Sequence, residues 1–200
     1  MGKTVDYYFS PISPWTYLGH ARFAEMAKRH SAVVNVKPVD FGKIFPASGG
    51  LPLAKRAPQR LAYRMVELKR FRDYVNVPLN LQPKFFPAPA DLAAQFIVAA
   101  GRAGGGDAAM RLAGAVLRAC WAEERNIADA ETLRAICAEQ GLDAGQLAAA
   151  AQSEAVAAEY HGYTDEALAR NVFGAPSYVI DGEIFWGQDR LEFVERALRL

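Results

Sequence analysis

Apolar and polar positions switch between strand and helix periodicities along this chain, and the switch points outline a fold. Val5 to Phe9 is a short, nearly unbroken run of apolar and aromatic residues of the strand type. From Pro14 to about His30 the apolar positions recur at helical spacing, and Pro14 suits a first helical turn. Val33 to Pro38 returns to strand character. These three segments predict a βαβ unit.

Proline usage divides the rest of the chain. Ten of the 11 prolines fall at or before Pro89 and none lies from Ala90 to Ala175, so that stretch predicts helices. Asp91 precedes an apolar run through Leu92, Phe96, Ile97 and Ala100, with Gly101 as its stop. Gly104-Gly105-Gly106 then reads as a break, and Met110, Leu112, Val116, Leu117 and Trp121 supply a second helical face. Asp129, Asp143 and Ser153 are N-cap candidates, with Gln146 completing a capping-box-like pair with Asp143. Four or five helices are expected in this block. Beyond Pro176, Ser177 to Ile180 and Glu183 to Trp186 flank Asp181-Gly182, which predicts a hairpin with a two-residue turn. Leu191, Phe193, Val194 and Leu198 place a last helix over about Gln188 to Leu200.

A βαβ unit and a ββα unit separated by helices predict an α/β chain of the thioredoxin-like class with a large all-helical insertion. Residues 1–40 and 172–200 would form the thioredoxin-like domain and residues 41–171 the insertion, packed as one compact unit. In that fold a cis-proline before the third strand faces the turn after the first. Ala175-Pro176 occupies that place, which would bring residue 13 and residue 176 together.

Composition narrows the chemistry. A formal net charge of +1 gives no electrostatic case for nucleic acid or an anionic membrane as main partner. Cys120 and Cys137 stand in Ala-rich helical sequence without a partner at redox or zinc spacing, so both are expected to be buried small hydrophobes. His20, His30 and His161 are scattered singly, so no metal site is expected. No basic segment leads into an apolar one at the N-terminus, and no apolar run reaches the roughly 18 residues of a span. A cytoplasmic location is expected.

The candidate chemistry sits in Ser13-Pro14-Trp15-Thr16. A strand that ends in a tight turn and feeds a helix N-terminus presents free N–H groups and a positive dipole end to an anion. Thioredoxin-like redox proteins carry Cys-x-x-Cys there, and Ser13 and Thr16 stand where the two sulfurs would be. Disulfide exchange is therefore excluded, but a serine hydroxyl can still donate to a thiolate that a ligand brings. One charge-assisted bond of about 1.5–3 kcal/mol would lower a thiol of ordinary pKa, about 8.5, by about one to two units. Ser13 also serves as N-cap of the helix that Pro14 opens, and one residue can do both. Thr16, one turn on, has a structural role.

Three segments together, Asp6 to Gly19, Gly174-Ala175-Pro176-Ser177 and Trp186 to Leu191, resemble the 2-hydroxychromene-2-carboxylate isomerases, which group with the kappa-class glutathione transferases. The match runs over nearly the whole chain in order and spacing. The resemblance implies a fold of the DsbA and kappa-class kind, bound glutathione and a homodimer. It implies that Ser13 is catalytic and faces the glutathione sulfur, and that the backbone of Ala175, before cis-Pro176, pairs with the glutathione peptide. It places the γ-glutamyl site on Gln188 and Asp189 at the N-terminus of the last helix, and the glycyl carboxylate on a basic residue of the Arg56-to-Arg64 segment, Arg60 or a neighbour. Where kappa-class enzymes carry an asparagine ahead of that basic residue, this chain reads Ser48-Gly49-Gly50.

Phe9, Tyr17, Phe85, Phe86 and Trp186 are the aromatic candidates for the substrate pocket, and Lys84, in a loop over the site, is the candidate partner of a substrate carboxylate. The activity that the resemblance implies is interconversion of 2-hydroxychromene-2-carboxylate and trans-o-hydroxybenzylidenepyruvate in naphthalene-type aromatic breakdown. A glutathione thiolate held by Ser13 would add reversibly to the conjugated carbon, so that glutathione acts as a cofactor. A kappa-like glutathione transferase and a non-catalytic thioredoxin-like binding module are the two alternatives.

Overall fold

The computed structural model describes residues 2–199. Four strands form one mixed sheet in the order β2-β1-β3-β4, where β1 is Thr4–Phe9, β2 Val33–Pro38, β3 Ser177–Ile180 and β4 Glu183–Trp186. β1 runs parallel to β2 and antiparallel to β3, and β3 and β4 are antiparallel. Helix α1, Pro14–Arg29, connects β1 to β2, and the hairpin turns at Asp181 and Gly182, both at positive φ as a type I′ turn requires. The predicted βαβ and ββα units are therefore present.

β1 lies between two apolar layers, which is why it carries no polar alternation. Val5, Tyr7 and Phe9 face the main core, shared with α1 and with α4, Asp91–Trp121. Tyr8 faces a second cluster with Phe41 and Ile44 of α2, Phe41–Ser48, and Ala167 of α7, Glu154–Ala169. Asp6, on that same side, is buried, and burial alone would raise its carboxyl. Hydrogen bonds from Lys37 and Asn35 and the charges of Lys37 and Arg170 hold it below the ordinary range.

The helical block contains α4, α5 (Ala130–Glu139), α6 (Ala144–Ala151) and α7, and the predicted caps form: Asp129, Asp143 and Ser153 accept from the N–H groups of Thr132, Gln146 and Val156. Two boundaries differ from expectation. Gly101 does not end a helix: the first half of α4 runs through it to Gly105 (φ 73°, ψ −172°), where the backbone leaves helical geometry as the Gly104-Gly105-Gly106 run predicts, and both halves bury their apolar face in the same core. Gly106 is required there by close approach: a Cβ would lie 2.8 Å from the Val34 carbonyl oxygen of β2. In the proline-rich segment the chain forms α2, with Pro46 inside it, and α3, Pro58–Val75, with Pro58 in its first turn. The last helix opens as a 3-10 turn, Gln188–Arg190, before α8, Leu191–Arg199; Leu200, its predicted end, and Met1 lie outside the described residues.

Tyr7 centres the core, stacked on Phe9 (4.7 Å) and Tyr178 (5.4 Å). Its hydroxyl meets His20 Nδ1 at 3.1 Å, while His20 Nε2 lies 3.0 Å from the Met110 carbonyl of α4. A carbonyl only accepts, so Nε2 carries the proton and Nδ1 accepts from Tyr7. The neutral imidazole thus ties sheet, α1 and α4 together. Gly19, the preceding residue, lets α1 rest directly on the Gln188 turn: a Cβ would sit 2.6 Å from Gln188 Cβ.

Burial pushes His20 down to about 4, below its unfolded value of about 6.5, so the unfolded chain binds the extra proton between these values. Stability is therefore full above pH 7 and falls as the pH drops through that window. Urea unfolding at pH 7.5 and 4.5 should differ by roughly 2–3 kcal/mol from this group, and His20→Gln should remove most of that difference. An unchanged pH dependence in His20→Gln would exclude the imidazole as its source. A paired substitution checks the packing. Gly19→Ala should lower stability by about 1–2 kcal/mol through overpacking against Gln188. Gly162→Ala, in α7 with nothing within 4 Å of the added carbon, should raise it by about 0.8 kcal/mol in the same urea unfolding.

Candidate active site

The turn between β1 and α1 is fixed from two sides. Ser13 N–H donates to the Ser10 carbonyl at 3.0 Å, and the indole Nε1 of fully buried Trp121 donates to the Ile12 carbonyl at 3.3 Å. Ser13 is the N-cap of α1: its Oγ accepts from Thr16 N–H at 3.2 Å. That bond uses an oxygen lone pair and leaves the hydroxyl proton free to donate, so cap and anion donor are compatible roles at one residue. The Thr16 hydroxyl is buried and has no partner among the described residues.

The sheet register runs Asp6 to Val179, Tyr7 to Tyr178 and Tyr8 to Ser177, so the chain leaving β1 for Ser13 passes the Ala175–Pro176 peptide, which is cis. The Pro176 carbonyl accepts from Gly187 N–H at 2.9 Å, and Ser177 Oγ donates to the Gly174 carbonyl at 2.7 Å. The N–H and C=O of half-buried Ala175 make no hydrogen bond among the described residues. A short extended peptide could pair with them. Gly174 is demanded by the indole of Trp186, whose Nε1 would stand 2.2 Å from an added Cβ.

Beside this strand end lies a cavity of about 650 Å³. Trp15 of α1, Ala175, the segment from Trp186 to Arg190 and one face of α3 line it. The α3 wall carries Arg60, Tyr63, Arg64, Glu67 and Phe71, with Arg56 just ahead of the helix. Arg56, Arg60 and Arg64 recur every fourth residue and share this face. None forms an ion pair among the described residues, whereas Glu67 is held by Arg70 at 2.7 Å and Asp189 by Arg190 at 2.6 Å. Burial and the Arg56 charge push the Arg64 guanidinium down to about 10, so it stays charged at neutral pH. The wall is a row of cations that an anionic ligand can neutralise.

Of the residues singled out from sequence, Arg60, Ala175, Trp186, Gln188 and Asp189 border this cavity; Ser13 is not itself a lining residue, although Trp15 two positions on is. The Gln188 side chain turns inward and accepts from Arg22, so Gln188 offers the cavity its backbone, not its amide. Four aromatic candidates and the lysine do not line this cavity. Tyr17 is buried and donates to the Pro78 carbonyl at 2.7 Å, and burial raises its hydroxyl. Phe9 is spent in the core, and Phe86 packs on Trp121. Lys84 is exposed and lies over Phe85, 5.2 Å from the ring centre, and neither borders the cavity. Their segment packs toward Trp121 rather than over the mouth.

Sequence reasoning missed Trp15, Tyr63, Phe71 and the separate importance of Arg64. The fourfold spacing of the arginines was a usable signal, but only for a reader who had placed a helix at residues 58–75. Both thiols are remote from this chemistry: Cys120 and Cys137 are buried, which pushes them up to about 12 and about 11. Among the described residues no group of three or more His, Cys, Asp or Glu side chains could hold a metal, and no helix is long and apolar enough to cross a membrane.

Comparison with known proteins agrees with this geometry. The profile of the DSBA-like thioredoxin domain matches residues 4–199. A 2-hydroxychromene-2-carboxylate isomerase of Sphingobium xenophagum is 32% identical over 199 residues, covering 99% of both chains. A glutathione S-transferase kappa 1 of Caenorhabditis elegans is 30% identical over 82 residues, 40% of this chain and 36% of that one. A solved 2-hydroxychromene-2-carboxylate isomerase superposes with a TM-score of 0.81 at 26% identity, covering 98% of this chain and 94% of its own. The full-length match to such an isomerase in sequence and in fold shows that this chain belongs to the 2-hydroxychromene-2-carboxylate isomerase family and is an isomerase built on a DSBA-like thioredoxin domain.

Proposed function

We propose that the chain interconverts 2-hydroxychromene-2-carboxylate and trans-o-hydroxybenzylidenepyruvate with glutathione as cofactor. The observation that carries this assignment is the Ser13 Oγ that accepts from Thr16 N–H and keeps its own proton to donate, in the turn that follows β1, whose register runs alongside the Ala175–Pro176 segment. The residues present fit a glutathione tripeptide. Its peptide would pair with the Ala175 main chain, its γ-glutamyl end would meet the first N–H groups of the Gln188–Arg190 turn and the Asp189 carboxylate, and its glycyl carboxylate would meet Arg60. When bound, glutathione supplies a sulfur nucleophile that can add to and leave a conjugated carbon.

Everything else falls to the chain. Ser13 donates its proton toward the sulfur and so favours the anionic form, aided by the N-terminal dipole of α1. Trp121 holds Ile12 and thereby the turn, so the donor is aimed before ligand arrives. Trp186, half-exposed over Gly174, and Trp15 offer flat apolar faces for an aromatic ring. A kappa-like transferase uses the same features with an irreversible acceptor, and the partial match to a kappa-class transferase favours it as the second assignment.

The two separate in one assay. With substoichiometric glutathione, the ultraviolet spectrum of the chromene should relax to equilibrium faster with protein than without, and glutathione should not be consumed. Stoichiometric loss of glutathione to chlorodinitrobenzene, with no effect on the chromene, would establish the transferase instead. Ser13→Ala should cut turnover roughly 10- to 1000-fold and raise the thiol pKa of bound glutathione, read at 240 nm, by about one to two units. Ser13→Gly, which keeps most of the cap stability, should lose the same activity. Full activity in Ser13→Gly would leave Ser13 as a cap alone.

A further inference from the structure

Arg64 is a cation in a place where a cation is costly unless something pairs with it. Its guanidinium lies 5.5 Å from the ring centre of Phe86 and 6.0 Å from that of Trp121. Its one polar contact among the described residues is Met65 Sδ at 3.8 Å. No carboxylate reaches it, since the acid of its own wall, Glu67, is engaged by Arg70. The two rings within cation–π range favour the charged guanidinium, and Arg64 lines the cavity with no anion paired to it.

Its position along the cavity is set by the same tryptophan. Trp121 supports Arg64 on its ring and bonds Ile12, the neighbour of Ser13, through its Nε1. Arg64 therefore stands at the Ser13 end. Arg60, one helical turn back and exposed, is about 6 Å nearer the start of α3. Two cations so spaced can hold two separate anions, and a tripeptide carboxylate at Arg60 leaves Arg64 without a partner.

Resting on the glutathione-dependent assignment above, we infer that Arg64 is the recognition residue for the carboxylate of the second ligand, a 2-oxo acid conjugated to an aromatic ring. The planar fork of the guanidinium matches a carboxylate in two parallel hydrogen bonds. Fixing the acid there would orient the conjugated carbons toward the turn of Ser13, and it assigns to Arg64 the task that the sequence suggested for Lys84. Ligands that lack the acid would then be discriminated against by an unpaired, half-buried cation.

The test compares trans-o-hydroxybenzylidenepyruvate with o-hydroxybenzylideneacetone, which carries a methyl group in place of the carboxylate, by calorimetric titration of the glutathione-saturated protein. The wild-type protein should prefer the acid by roughly 10- to 100-fold. Arg64→Met should abolish that preference, Arg64→Lys should retain part of it, and both should leave the glutathione Kd and the 240 nm thiol titration unchanged. Equal binding of acid and ketone by the wild type overturns the inference without need of any variant. So does a preference that survives in Arg64→Met, or in Arg64→Lys at full strength, and so does a shift of the thiol titration in place of the acid preference, which would make Arg64 a partner of the sulfur. Acid preference in a protein that does not speed chromene relaxation would sink the isomerase assignment while leaving the carboxylate site standing.

Discussion

The antiparallel pairing of β1 with β3 is the contact on which the site depends. Tyr8 faces Ser177, residues separated by most of the chain, and every other element of the site is hung from that register. Beyond it in one direction the chain turns through Ser13; in the other it passes Pro176 and Gly174. The Gly187 bond to the Pro176 carbonyl then brings the 188–189 turn to the same end of the sheet. Closing so long a loop is entropically costly, though the cost grows only logarithmically with length. The core offsets it: Tyr7, Phe23 and Tyr178 pack within 5.4 Å of one another across the β1 and β3 pair.

What the sequence disclosed was what local physics decides. Strand runs, the Asp-Gly turn, Pro14 and the Ser and Asp caps each carry their signal within a few residues, and each appears where its signal put it. The failures have a common cause in tertiary context. Gly101 reads as a stop, yet burial of its neighbours carries the helix on to Gly105, where the backbone breaks within the Gly104 to Gly106 run as predicted. The all-helical insertion expected over residues 41–171 contains α2 and α3, but their bounds were not read from the proline-rich segment, although Pro58 at the start of α3 is a helix-opening position. Without those bounds, the common face of Arg56, Arg60 and Arg64 could not be read. Lys84 and Phe85 then took a place at the site that α3 fills.

Side-chain direction was the other quantity beyond reach. Gln188 sits where a polar side chain would be expected to meet a ligand, yet it turns to Arg22, because Gly19 lets α1 close onto the turn and leaves the amide nowhere else to go. Arg22 Nε is itself buried without a partner. A guanidinium thus lies directly behind the 188–189 turn. Its charge adds to the partial positive charge of the turn's free N–H groups, so the backbone can still attract an anion after the Gln188 amide has been withdrawn.

Electrostatics and the missing sulfurs belong to one design. A chain that did its own thiol chemistry would need a cysteine thiolate at the turn. Here the turn carries hydroxyls, both cysteines are buried with thiols pushed far from ionisation, and the arginines remain unpaired along the cavity. The cation row is therefore available for groups that arrive in solution. Because Arg60 is exposed and Arg64 is half-buried beside Phe86, the two differ in the desolvation that they impose on an anion. The exposed one suits a flexible peptide carboxylate. The half-buried one suits an acid attached to a flat ring, whose own apolar surface completes the removal of water that makes the pairing strong.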